Sequence, residues 1–293
     1  MIEIGIGPNL VSAKAGIDWV IAWHGLFSFL GVAAAVYLVG RWGPMKGVSS
    51  DTIYSIALWA IIGGFIGARV VHVIDHWGLY SGNVGQMFAI WSGGVGVWGG
   101  ILGGFIGGVI YARIAKHPIG LIADLTAPAM LVAQTIGRLG DIANGEHCAK
   151  ATDWFIGFTW THPQSLAANC ANGIGVSVQP VIAYEILWNM IALAVVWNLR
   201  GRLQPAGMLF ALYLALYALG RFAVTFARED KIWALGMQEA HYIALLVLAI
   251  TVPLLAWKAR WVPRTAEETA VVEAAKPHGS RAERRRRERG QRA

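Results

Sequence analysis

Seven stretches of this chain are long and apolar enough to cross a lipid bilayer, at about 18–40, 53–74, 85–112, 120–137, 181–199, 206–226 and 239–257. Hydrocarbon offers backbone amides and carbonyls no water, so a span must satisfy them internally as a helix or within a closed barrel. Windows of roughly 20 residues with few charges suit helices, since a barrel strand needs only about ten. Charged residues make up 14% of the chain, against about 25% in a typical soluble domain. The fold expected is therefore all-α: a polytopic integral membrane protein with about seven transmembrane helices. Residues 1–257 form the membrane body, with a small extracytoplasmic head at about 140–180 between spans four and five. No cleavable signal peptide is expected, because Glu3 and two glycines stand where a basic segment would precede the apolar core.

The net charge of +7 is unevenly spread. From Lys258 onward there are eleven Lys and Arg against five acids, including the run Arg284 to Arg287, while the body is close to neutral. With few aromatic residues, 258–293 reads as a disordered tail. Its basic character fits a cytoplasmic anchor near anionic lipid headgroups rather than a nucleic-acid partner. The positive-inside rule places it in the cytoplasm. Counting back seven spans puts the N-terminus outside. The loops with Arg41/Lys46, Arg113/Lys116 and Arg200/Arg202 fall inside, and 138–180 falls outside. Both cysteines, Cys148 and Cys170, lie in that external segment. An oxidising compartment makes a disulfide closing roughly 23 residues the expected state, rather than metal ligation or a reactive thiol.

Polar residues inside or at the ends of spans mark where chemistry is expected, because each is costly in hydrocarbon. The densest set is Ile136 to Glu146, which packs Arg138, Asp141, Asn144 and Glu146 among three glycines. Arg138 carries a planar fork of donors suited to a phosphodiester. Asn144-Gly145 is a turn signal that brings Glu146 back towards it. Tyr217 and Arg221 are four residues apart on one helix face, with Thr225 continuing it. Tyr184-Glu185 follows Pro180 at the start of the fifth span, and His24 lies in the first. Asp124 is the main charge far from the outer ends of the spans. His72 and His76 have a spacing that could hold a metal, but with Asp75 and Trp77 beside them they read as the edge of the bilayer. Glycines from Gly93 to Gly108 form a helical stripe that lets a neighbouring helix approach closely. The paired Gly93-Gly94 at its start could also expose amides to an anion.

Gly137-Arg-Leu-Gly-Asp-Ile-Ala-Asn-Gly-Glu146 resembles the signature of the prolipoprotein diacylglyceryl transferase family, close to G-R-x-G-N-F-x-N-G-E. Other pieces follow in the family's order: Trp23 to Leu26, Gly64 to Arg69, Trp91 to Gly100, Gln179 to Glu185, and Tyr217 to Arg228. The resemblance covers about 18–257. The chain also departs from the pattern. His24 stands where Tyr is usual, Trp98 where many members have a His proposed as catalytic, and Asp141 where Asn is usual. Gln179, Ile182 and Thr225 replace His, Gln and Glu.

The resemblance implies transfer of a diacylglyceryl group from phosphatidylglycerol to the thiol of a preprolipoprotein's lipobox cysteine. A thioether forms and glycerol phosphate leaves. It implies Arg138 on the lipid phosphate, with Arg221 on the same group or activating the thiol. Glu146 and Asn144 would orient Arg138 and the headgroup. Tyr217 joins the catalytic group, and Gly145, Arg69 and Glu185 join the substrate-binding set. Trp98 cannot accept a proton, which leaves His24 as the suitable titrating base. No metal or organic cofactor is implied. The partners are phosphatidylglycerol, a lipobox peptide and membrane lipids, and the location is the bacterial cytoplasmic membrane. A non-catalytic lipid- or lipoprotein-binding paralogue is the alternative reading, with a seven-span transporter behind it.

Overall fold

The computed structural model describes residues 1–14, 18–89, 93–94 and 96–263. The arginine run 284–287 and Trp91 lie outside the described residues. Seven helices have the length and hydropathy of membrane spans: α1 Trp23–Trp42, α2 Ser50–Asp75, α3 Val97–Ile114, α4 Ile119–Asn144, α5 Val181–Leu199, α6 Met208–Thr225 and α7 Glu239–Lys258. Short strands accompany them, β1 (Ile2–Ile4), β2 (Asn9–Lys14), β3 (Asp18–Ala22) and β4 (Phe158–Trp160) among them.

Three boundaries differ from the sequence windows. The start of the first window is β3, which pairs antiparallel with β2. The third window begins in a short helical segment, Val84–Phe88, separate from the span that starts at Val97. The fourth helix runs on to Asn144 instead of ending near 137, so most of the signature is its last two turns. Gly145 stops it there. Its φ of 72° is left-handed, and its amide donates to Asp141 O at 3.0 Å, closing the helix C-terminus.

Hydrogen bonds between distant segments define two faces. β1 pairs in parallel with β4. Lys150 N donates to Ala227 O and Glu229 N to Cys148 O. The N-terminus, the 145–180 segment and the α6–α7 connection therefore share one face, as an even number of crossings between them requires. On the other face Arg260–Trp261 pairs with Leu203–Gln204 in the α5–α6 connection.

The central spans are α5 and α6, buried over 33% and 39% of their windows, whereas α2 is buried over 11%. Apolar side chains left exposed on α2 and α3, such as Phe65, Ile66, Ile101 and Phe105, suit a lipid environment. The glycine stripe is a helix–helix contact. A Cβ on Gly63 would stand 2.5 Å from Gly103 O, and one on Gly103 would meet Gly63 O. Gly93 and Gly94 present their carbonyls to Arg69. Both accept from Arg69 Nη1, at 2.6 and 2.9 Å.

Asp124 is structural. Its two oxygens accept from Gly207 N at 2.8 Å and Phe210 N at 2.9 Å. These are amides at the N-terminus of α6, which has no side-chain cap of its own. The head packs Ile4, Phe158, Trp160 and Val178 against Val181, Ile182 and Val224 at the ends of α5 and α6. Cys148 and Cys170 are joined by a disulfide, as expected from their shared segment. Trp160 Nε1 donates to Ile142 O at 2.8 Å, and Ser165 Oγ to Asn144 O at 3.2 Å. These bonds fix the end of α4 beneath the head.

Candidate active site

Where α1, α4, α5 and α6 meet, a cavity of about 180 Å³ opens among His24, Ser28, Gln134, Arg138, Asp141, Glu185, Asn189, Tyr217 and Arg221. Each helix contributes residues spaced three or four apart, so each turns one polar face inward. Two glycine contacts set the approach. A Cβ on Gly140 would be 2.8 Å from His24 Cα, so α1 reaches α4 only because position 140 has no side chain. A Cβ on Gly220 would strike the indole of Trp188, whose Nε1 donates to Leu216 O at 2.7 Å.

Glu185 joins the two arginines. Arg221 Nη1 donates to Glu185 Oε1 at 2.6 Å, and Arg138 Nε lies 2.5 Å from Glu185 Oε2. Arg138 Nη1 also donates to Asp141 Oδ2 at 2.6 Å and lies against His147 Nε2. Among the described residues, Nε and Nη2 of Arg221 and Nη2 of Arg138 have no hydrogen-bond partner. Two guanidinium groups are thus held together by one carboxylate, with donors to spare.

Asp141 has a second neighbour. Its Oδ1 accepts from His24 Nδ1 at 2.7 Å, and the same nitrogen lies 3.3 Å from Glu146 Oε2. Asn144 Nδ2 donates to Glu146 Oε1 at 3.0 Å, and His147 Nε2 stands 3.2 Å from Asp141 Oδ2. Ligand-type atoms of His24, Asp141 and Glu146 lie within 4.8 Å of one another, a spacing that could also hold a metal. Here Arg138, 2.6 Å from the other Asp141 oxygen, already supplies positive charge to that cluster.

Arg138, Arg221, Tyr217, Glu185 and His24 line the cavity together, and Glu146 and Asn144 stand behind His24. The partner of Arg138 is not Glu146, as the signature suggested, but Asp141 with Glu185. Gly145 caps α4, and a Cβ there would collide with Ser165 Oγ, so its place is set by packing. Arg69 is not brought to the cavity lining. It is buried within α2 and donates to four carbonyls of the α2–α3 connection, those of Gln86, Met87, Gly93 and Gly94. Trp98, 40% exposed near the start of α3, is also outside the lining. Arg228 grips Asp230 through Nε at 2.6 Å and Nη2 at 3.2 Å, tying down the α6–α7 connection. His72 stacks on His76 with ring centroids 4.3 Å apart, and its Nε2 is 3.1 Å from Tyr80 OH.

Ser28, Gln134, Trp188, Asn189 and His147 escaped the sequence reading. Four of them carried a usable signal, lying three or four residues along a helix from His24, Arg138 or Glu185. His147 carried none. It follows the helix cap in a left-handed conformation, φ 77°, and only that turn returns it to Arg138.

The prolipoprotein diacylglyceryl transferase family matches residues 12–257. A phosphatidylglycerol–prolipoprotein diacylglyceryl transferase of Dehalococcoides mccartyi is 35% identical over 262 residues, covering 89% of this chain and 96% of that protein. The enzyme of the same name from Mycobacterium leprae is 33% identical over 221 residues, 71% of this chain and 67% of its own length. One from Listeria innocua is 29% identical over 239 residues, 81% and 86% of the two lengths. A match across six of the seven spans and all but the last residue of the seventh, at the identities of named relatives, leaves one conclusion: the chain belongs to the prolipoprotein diacylglyceryl transferase family.

Proposed function

We propose that this protein transfers the diacylglyceryl group of phosphatidylglycerol to the lipobox cysteine thiol of a preprolipoprotein, forming a thioether and releasing glycerol phosphate. The observation that carries the assignment is the Arg138–Glu185–Arg221 bridge facing a cavity at the head end of the spans. In this reaction the thiol sulfur attacks a lipid carbon, and negative charge grows on the phosphate oxygen that leaves. Preorganised donors aimed at that oxygen stabilise the transition state and need no reorganisation as charge develops. Arg221 takes the larger share of the phosphate, because two of its nitrogens are unengaged by the protein. Arg138 is the fixed partner, held by Asp141 and Glu185 and contributing its Nη2. Tyr217, one turn from Arg221, adds a phenol donor. Glu146 and Asn144 support His24 from behind.

Purified protein incubated with phosphatidylglycerol and a lipobox peptide is expected to add one diacylglyceryl mass to the peptide's cysteine and to release glycerol phosphate. Lipid binding without either product would establish a non-catalytic relative in place of the transferase.

The orientation that fits is head outside and tail inside, in the bacterial cytoplasmic membrane. The basic residues Arg41, Lys46, Arg113, Lys116, Arg200 and Arg202 all fall on the face opposite the head. A reporter fused at Ala293 is expected to be cytoplasmic and one inserted near Ala168 external. Reporters on the same side would overturn the orientation.

A further inference from the structure

We propose that His24 and Asp141 form a coupled pair in which Asp141 positions His24 as the base that removes the lipobox thiol proton. This rests on the transferase reading above and names how that site activates its nucleophile. His24 Nδ1 is 2.7 Å from Asp141 Oδ1, and a carboxylate can only accept, so Nδ1 carries the proton. The lone pair is then on Nε2, which has no partner among the described residues. The side chain is 45% exposed at the cavity, whereas Asp141 is 4% exposed. One member meets substrate and the other is fixed behind it. Asp141 is itself held from the far side, with Arg138 Nη1 at 2.6 Å and His147 Nε2 at 3.2 Å on Oδ2.

The pair joins the first and fourth spans across 117 residues of sequence, so the contact exists only in the folded protein.

In the step assigned to the pair, the peptide S–H proton passes to His24 Nε2. The sulfur electron pair forms the S–C bond to the terminal methylene of the diacylglyceryl group. The C–O bond to the phosphate breaks, and its pair stays on the departing phosphate oxygen beside Arg221. The imidazolium then returns its proton to glycerol phosphate or to water.

The test compares two nucleophiles on the intact protein in phosphatidylglycerol micelles: a cysteine lipobox peptide and its selenocysteine analogue, whose selenol ionises unaided at neutral pH. With the cysteine peptide, Asp141→Asn and His24→Ala should each lower kcat by about 10²-fold or more, the usual scale for losing a general base. An asparagine can donate to Nδ1 and so force the wrong tautomer. With the selenocysteine peptide the same variants should stay within about tenfold of wild type, a recovery that also certifies their folding. Added imidazole should restore His24→Ala on the cysteine peptide. Equal losses on both nucleophiles, or cysteine transfer unchanged in His24→Ala, would reduce the pair to packing. His24→Ala decides the matter even if Asp141→Asn does not fold, since its side chain is nearly half exposed. Failure of the wild type on both peptides would instead overturn the transferase reading.

Discussion

Arg221→Lys is expected to lower transfer by about 10²- to 10³-fold while leaving the protein abundant in the membrane. That is the range seen when one preorganised donor to a developing oxyanion is removed. Arg221 makes one contact to Glu185, at 2.6 Å through Nη1, and offers its remaining nitrogens to the cavity. A lysine ammonium can satisfy Glu185 or reach a phosphate, but it lacks the fork that does both in one plane. The loss should fall mainly on kcat, because the interaction strengthens as charge collects on the leaving oxygen. Initial rates with a fluorescent lipobox peptide, at matched protein levels, measure it. A variant within a few fold of wild type would remove Arg221 from the chemistry and make it an anchor for Glu185.

Glu185→Ala carries the second large effect, and it should appear in stability as well as rate. Among the described residues Glu185 is the sole carboxylate shared by Arg138 and Arg221, and its side chain is only 9% exposed. Removing one partner of a buried ionic set leaves charges uncompensated, typically at about 3–5 kcal/mol. The two guanidinium groups are each about a fifth exposed to the cavity, so the lower end applies. The expected result is a clearly reduced melting temperature in detergent, together with loss of most activity. Saturating phosphatidylglycerol should recover part of the melting temperature, because a phosphate can take the place of the missing carboxylate between the arginines. Unchanged melting with a lower KM for lipid would instead show that Glu185 competes with substrate and does not hold the site together.

Much of this arrangement was legible one residue at a time. Arg138, Glu185, Tyr217, Arg221 and His24 stood out because polar side chains in spans are expensive and therefore few. Asp124 stood out for the same reason and proved to be a cap on another helix, 83 residues away in sequence. Cost alone identifies such residues without saying what the cost secures. Arg69 matched the family pattern as fully as Arg138 did, yet its donors are spent on backbone carbonyls. The end of α4 was placed too early. The apolar window ended at about 137, whereas the helix runs on through Gly137 and Gly140 and uses position 140 to admit α1.

The sequence by itself determined what can be read along one dimension. Hydrophobic run length set the number of spans, and the motif order set the family. Helical periodicity even fixed which side chains share a face within each span. Only the tertiary structure decided which faces meet. Glu185 lies between two arginines that sit 47 positions before it and 36 after it, and Asp141 lies between His24 and His147. Those meetings depend on helix crossings governed by small residues such as Gly140 and Gly220, whose effect is to permit approach without specifying a partner. Periodicity decays at every loop, so it carries no phase from one helix to the next. The pairing of a histidine in the first span with an aspartate in the fourth could be settled only by packing.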